Sequence, residues 1–302
     1  MFVDQSGGFE GEFLDNLHII VEIEDRTLLY RKKEKRKHYF FQKKKGLEGF
    51  IINFTNKVVL ITGSGAGIGR ESALQFAERG AKVVVNSKSE RGEETLALLK
   101  EKGADGIFVQ GDVSKVDDVK SMVQAAVDAF GRIDILVNNA AVVLPGKVDD
   151  ISEEDLLETL LVNVQGTFFV SKYVIKEMKE QGGGVIVNVG SVAATKGLKD
   201  RSAYSASKGA ILSLTKSMAM DYMDGNIRVN CVSPGTTETE GVRAKIDNAE
   251  DPKAMEAMFR SRQPMNRLAT SAEIAHSILF AASEEAGFMN GSNILIDGGL
   301  SI

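Results

Sequence analysis

Tyr204 and Lys208 stand four residues apart in the stretch Ser202-Ala-Tyr204-Ser-Ala-Ser-Lys208-Gly-Ala, which reads as helix. Residues at that spacing share one helical face, with Cβ atoms about 5–6 Å apart. A free phenol titrates near ~10 and is a poor base at neutral pH, but an ammonium beside it favours phenolate. Such a pair can move a proton on and off an alcohol, with Tyr204 as the acid–base group. The bare spacing also fits a solvated pair on an amphipathic helix, so its meaning depends on what the rest of the chain sets beside it.

A second stretch with chemical meaning is Thr62-Gly63-Ser64-Gly65-Ala66-Gly67-Ile68-Gly69, directly after the apolar run Val58-Val-Leu-Ile61. Glycines at a strand-to-helix turn let backbone approach a pyrophosphate, and the helix N-terminus adds free N–H groups and partial positive charge. Gly63, Gly65, Gly67, Ile68 and Gly69 are therefore expected cofactor contacts. Ile68 stands where the G-x-G-x-x-G spelling requires glycine, so the match is G-x-x-x-G-x-G through Gly63, Gly67 and Gly69.

The elements that must position these residues follow from hydrophobic patterning. Short Val/Ile-rich runs at 58–61, 82–85, 106–110, 133–137, 184–189, 227–232 and 293–296 read as buried strands. Between them, 68–79, 90–102, 116–130, 152–162, 164–181, 202–223 and 271–284 read as helices. Strand alternating with helix predicts an α/β fold, a Rossmann-type doubly wound parallel sheet in three α/β/α layers, as one domain over residues 54–302. Residues 1–53 differ: acidic at first, then basic from Arg31 to Lys45 around Tyr39-Phe40-Phe41. They are expected to be a mobile or weakly ordered extension, with a short hairpin around residues 19–30, unless the true start lies nearer residue 50.

With both stretches in hand, the chain from about Lys57 onward resembles the short-chain dehydrogenase/reductase family. Asp112-Val113 resembles its adenine-contacting pair, and Asn138-Asn139-Ala140-Ala141 its Asn-Asn-Ala-Gly signature, with Ala141 replacing the last glycine and Asn139 a cofactor contact. Pro234-Gly235-Thr236-Thr237-Glu238-Thr239 resembles the segment that holds the nicotinamide carboxamide, through Pro234, Gly235, Thr237 and Thr239. The resemblance implies a catalytic set of Asn163, Ser191, Tyr204 and Lys208. Ser191 would hold the substrate oxygen where charge develops, Tyr204 would exchange the proton, Lys208 would lower the tyrosine pKa and bind the nicotinamide ribose, and Asn163 would hold a water leading from Lys208 to solvent. Gly190 stands where many relatives have a second serine, a change expected to loosen the site.

Cofactor choice is a matter of charge. After the second strand comes Asn86-Ser87-Lys88-Ser89, with no acid before Glu90 to accept from ribose hydroxyls. Ser87 and Lys88 suit a 2′-phosphate, so NADP is expected in preference to NAD. The segments after the fourth, fifth and sixth strands carry Lys196, Lys199, Arg201, Arg243, Lys245, Arg260 and Arg262 with few aromatics. They point to a hydroxylated or anionic small molecule, a sugar or sugar acid, with a 3-oxoacyl-carrier-protein reductase as the alternative and a catalytically silent nucleotide sensor as the alternative of another class.

Composition narrows the rest. The chain has 302 residues, a net charge of −5 and one cysteine, Cys231, which excludes an intrachain disulfide and gives no general basis for nucleic-acid binding. His18, His38 and His276 are scattered, so neither a metal cluster nor a Ser/His/Asp hydrolase is expected. No apolar run spans a bilayer, and a cytoplasmic protein is expected. Family resemblance further implies a homotetramer assembled through the helices at 164–181 and 202–223.

Overall fold

A computed structural model of the chain describes residues 52–302 throughout and, before them, the backbone of three strands. These strands, β1 (His18–Ile23), β2 (Arg26–Lys33) and β3 (Arg36–Lys43), pair antiparallel in the order β1-β2-β3. They belong to one compact unit, Met1–Ile51, and Ile52–Ile302 forms a second. The hairpin expected around residues 19–30 falls on β1 and β2. The expected mobility of residues 1–53 concerns a segment that lies, but for its last two residues and the three strands, outside the described residues.

The second unit is built on a parallel sheet of β4 (Val58–Ile61), β5 (Lys82–Ser87), β6 (Gly106–Gln110), β7 (Ile135–Asn138), β8 (Gly184–Val189), β9 (Ile227–Pro234) and, beyond a separate two-residue pair β10 (Thr237–Glu238) and β11 (Ala269–Thr270), β12 (Asn293–Ile296). Its order is β12-β9-β8-β7-β4-β5-β6. The strands are apolar on both faces because both faces are covered. Along β4, Val59 and Ile61 join one core with α1 (Gly67–Glu78), α2 (Arg91–Glu101) and α9 (Ser271–Ala282). Val58 and Leu60 join the other, with α3 (Val116–Phe130), α5 (Thr167–Glu180) and α6 (Ser202–Asp221). Leu60 and Ile61 are fully buried, each such side chain contributing about 1.5–3 kcal/mol. The crossovers reverse direction between β4 and β7, and ligands bind outside the carboxyl ends of the strands at such a point.

Three local expectations are corrected. The helices predicted at 152–162 and 164–181 are one rod: α4 (Glu153–Leu160) runs through a turn of π-helix, Leu161–Gly166, into α5. The fourth strand starts at Ile135 rather than residue 133, because the Gln181 amide captures both backbone groups of Ile133, at 3.2 and 2.7 Å. Between residues 236 and 265 lie two helices, α7 (Glu240–Asp247) and α8 (Pro252–Ser261). Thr239 caps the first; Asp251 caps the second, with Pro252 at its first helical position, a start signal legible in sequence. They close on each other over Ile246, Phe259 and Leu268.

Candidate active site

At the switch point the turn from β4 into α1 is bare backbone under tight packing. Gly63 has φ +63° and Gly67 φ +54°, the region glycine enters without steric cost. A Cβ at Gly69 would stand 2.5 Å from both Asn139 Nδ2 and Gly63 O, and one at Gly65 would stand 2.8 Å from Ser87 Oγ. Asn139 ties β7 to this turn: its N–H donates to Thr62 Oγ1, and Nδ2 donates to the Thr62 and Gly63 carbonyls, each at 3.0 Å. The result is a rigid cradle at a helix N-terminus, which fits a pyrophosphate. The Gly67 N–H at its mouth is held at 2.7 Å by Glu240 Oε2, from α7.

Beyond β5, the Lys88 ammonium pairs with Asp112 Oδ2 at 2.9 Å, which raises the Lys88 pKa. Burial works against the Asp112 carboxylate, but hydrogen bonds from Ser114 and Lys88 overcome it and hold its pKa below the ordinary value. Val113 is buried against Gly166, where a Cβ would meet its Cγ2 at 2.8 Å. Arg91, which the sequence reading passed over, lines the cavity with Ala66, Gly67 and Ile68. The signal was present: Arg91 opens α2, the helix end where the macrodipole favours acids.

The residues expected to be catalytic come from three elements. Ser191 follows β8 and caps the turn Val192–Ala194, its Oγ accepting from Ala193 N–H at 3.1 Å. Tyr204 comes from the first turn of α6. Burial pushes its phenol pKa up, while a hydrogen bond with Ser191 and the Arg201 cation pull against that. The Lys208 ammonium stands 5.8 Å from the Tyr204 ring centroid and donates to the Val189 carbonyl at 2.8 Å. Burial pulls the Lys208 pKa down to about 8.

Asn163 sits in the π-turn and is 1% exposed. Its Oδ1 accepts from Val142 N–H at 2.8 Å, and Nδ2 donates to Val142 O and Ser207 Oγ, both at 3.0 Å. The side chain thus joins the segment after β7 to α6, and the backbone carbonyl accepts from Thr167 Oγ1 at 2.8 Å. Gly190 does not loosen the site as expected. A Cβ there would lie 2.6 Å from both Cys231 Sγ and Ser233 Oγ, so β8 and β9 meet tightly at this point.

Pro234 ends β9, and Gly235 N–H is held by Ile296 O at 2.9 Å. Thr237 is buried, and Thr239 caps α7. Gly67, Ile68, Asn139, Ser191, Tyr204, Lys208, Pro234, Gly235, Thr237 and Thr239 all line one cavity of about 800 Å³. Gly63, Gly65, Gly69, Ser87, Lys88, Asp112, Val113 and Asn163 are not part of its wall. The wall also carries Arg201, Arg262, Lys199 and Lys245.

This fold and this site are those of a nicotinamide-dependent oxidoreductase, and comparison with known proteins agrees. The family model described as enoyl-(acyl carrier protein) reductase matches residues 63–301. The chain belongs to the short-chain dehydrogenase/reductase family. An uncharacterized oxidoreductase of Thermotoga maritima is 53% identical over 249 residues, covering 82% of this chain and 98% of that protein. Dehydrogenase/reductase SDR family member 6 of Xenopus laevis is 37% identical over 248 residues, covering 82% and 98%. The crystal structure of L-sorbose reductase from Gluconobacter frateurii, complexed with NADPH and L-sorbose, superposes with TM-score 0.79 at 31% identity, covering 83% of this chain and 98% of that one. The chain is an NAD(P)-dependent dehydrogenase/reductase acting on CH–OH groups. Among the described residues no helix is long and apolar enough to cross a membrane, and no cluster of His, Cys, Asp and Glu can hold a metal ion.

Proposed function

We propose that the chain transfers a hydride between NADP, in preference to NAD, and the hydroxyl-bearing carbon of a small polar acid, a sugar acid before a neutral sugar. The observation that carries the acid is the pair Arg201 and Arg262. Both line the cavity, and neither enters an ion pair among the described residues. Burial lowers the Arg262 pKa and the neighbouring Arg201 cation lowers it further. A carboxylate between the two guanidiniums relieves both effects through charge-assisted hydrogen bonds. Lys199 and Lys245 add to the same sign of charge.

When bound, the nicotinamide supplies the hydride acceptor or donor. Ser191 holds the substrate oxygen, and Tyr204 takes the hydroxyl proton in oxidation or returns it in reduction. Lys208, anchored on Val189 O, would donate a further hydrogen bond to the nicotinamide ribose. Asn163 acts as a positioning residue that fixes α6, and with it Tyr204, through Ser207. Support for NADP comes from Ser87 and Arg91, whose Oγ and Cβ would lie 2.8 and 3.1 Å from a Cβ at Gly65. The NADPH and L-sorbose complex of a structural neighbour fits a polyhydroxylated substrate. A homotetramer is proposed on the exposed apolar residues Leu157 of α4, Leu161 of the π-turn and Phe168 of α5, with Phe168 50% exposed.

The test is a panel of aldoses, their sugar acids, short hydroxy acids and acetoacetyl thioesters, with NADP and NAD. Sugar acids are expected to give the highest kcat/KM, Arg262→Ala to raise KM for acids about 10- to 100-fold while sparing neutral sugars, and Tyr204→Phe to abolish turnover. A preference for neutral sugars or thioesters refutes the acid, and a better kcat/KM with NAD refutes the cofactor preference. Cofactor binding with no turnover on any substrate favours the nucleotide sensor.

A further inference from the structure

Glu240 is the first residue of α7, yet its side chain leaves that helix and crosses to the dinucleotide loop. Oε2 accepts from the Gly67 N–H at 2.7 Å, and Oε1 faces Arg70 Nη1 at 3.5 Å. The Arg70 guanidinium is fixed from its other side by the Gly65 carbonyl, Thr95 Oγ1 and Glu94. Packing seals the contact: a Cβ at Gly67 would meet Thr239 Cγ2 at 3.1 Å and Glu240 Oε2 at 3.5 Å. The Glu240 carboxylate thus occupies the N-terminus of α1, the position and hydrogen-bond geometry that a phosphate oxygen takes at the opening of a dinucleotide-binding helix.

We propose that Glu240 is an internal stand-in for the cofactor's pyrophosphate. It latches α7 onto the glycine loop, and the dinucleotide displaces it on binding. One N–H cannot serve two anions at full strength, and two anions side by side repel, so the contact and the pyrophosphate compete. The latch reaches the substrate end because α7 is a wall of the cavity. Gly241, Val242 and Lys245 line it from α7, and α7 packs through Ile246 on the Phe259 of α8, next to Arg262. Release of Glu240 frees the α7 N-terminus where Thr239 caps it, so cofactor occupancy sets the freedom of the residues that face the substrate. This inference rests on the reading of the α1 N-terminus as the pyrophosphate site, and goes beyond it in assigning Glu240 a role opposed to cofactor affinity.

The test compares the unchanged chain with Glu240→Gln and Glu240→Ala, titrated with NADPH and NADH without substrate and followed by nicotinamide fluorescence. A parallel calorimetric titration uses 2′-AMP, which carries the adenosine end and no pyrophosphate. Both variants are expected to bind the reduced dinucleotide about 3- to 10-fold tighter, as loss of one competing charge-assisted hydrogen bond implies. Affinity for 2′-AMP is expected to change less than about 2-fold, since nothing it touches has been freed. Equal or weaker dinucleotide binding by the variants overturns the latch while leaving the pyrophosphate site standing. A gain for 2′-AMP as large as for NADPH overturns it as well, because the effect is then one of general charge. Failure of the unchanged chain to bind either dinucleotide overturns both readings together.

Discussion

Replacing Lys208 with methionine should stabilise the fold while ending its activity. Lys208 is 4% exposed, and burial lowers its pKa from 10.5 to about 8. At about 1.4 kcal/mol per pH unit, holding the ammonium inside costs the folded chain about 3 kcal/mol at pH 7. Methionine keeps the aliphatic stem and loses the hydrogen bond to Val189 O, worth about 1 kcal/mol. The expected net gain is about 2 kcal/mol, or about 4–8 °C in Tm for a unit of this size. The sign follows from proton binding. The unfolded chain keeps the Lys208 proton up to pH 10.5 and the folded chain only up to about 8, so the stability of the unchanged protein rises across that interval. The advantage of Lys208→Met is therefore full below pH 8 and gone above 10.5. Thermal melts of both proteins at pH 7 and at pH 10.5 check this, with turnover measured at pH 7. A variant less stable than the parent at pH 7, or an advantage that does not shrink with pH, refutes the reasoning.

Gly190→Ala places a methyl group 2.6 Å from Cys231 Sγ and Ser233 Oγ, and is expected to cost about 1–3 kcal/mol by denaturant titration. Adding Cys231→Ala should recover part of that loss, and no recovery would mean the clash lies elsewhere. Phe168→Asp, at an exposed apolar residue of α5, should lower the mass seen by light scattering from a tetramer to a smaller species. A monomeric mass for the unchanged chain refutes the tetramer.

The fold was legible because its strands are buried on both faces. Runs such as Val58-Val-Leu-Ile61 and Val83-Val-Val85 have no other place than the middle of a covered parallel sheet, and the glycine turn between β4 and α1 marks the switch point. Ser191 was legible because it follows a strand at the carboxyl edge of that sheet, Tyr204 because it stands in the first turn of a helix there, and Lys208 because it lies one turn further on the same helix. Arg91 left only a faint signal, a basic residue at a helix N-terminus, and Glu240 none, since their meaning arises from pairs of segments distant in sequence: Arg91 from the wall it shares with Gly67, and Glu240 from a hydrogen bond spanning 173 positions. The anchoring of Lys208 was not legible for a related reason. Spacing on a helix gives proximity, but Val189 O on the neighbouring strand decides where the ammonium points.

The π-turn Leu161–Gly166 bears on how the chain tolerates changes in length. A π-turn contains one residue more than the α-helix needs, and each residue advances a helix by about 100°. Deleting one residue there would let Glu153–Glu180 close as a more regular helix, yet it would rotate one half of the rod against the other. Either Val170, Val174 and Met178 would turn away from the sheet, or Asn163 would turn away from Ser207. The irregularity is thus a phase adjustment between two surfaces with separate demands, one set by the core and one by the catalytic helix. Shortening the neighbouring loop at 142–150 by a residue carries no such penalty of phase, so in this stretch of the family's fold insertions and deletions should accumulate on the loop side of Ser152 and stop at the rod.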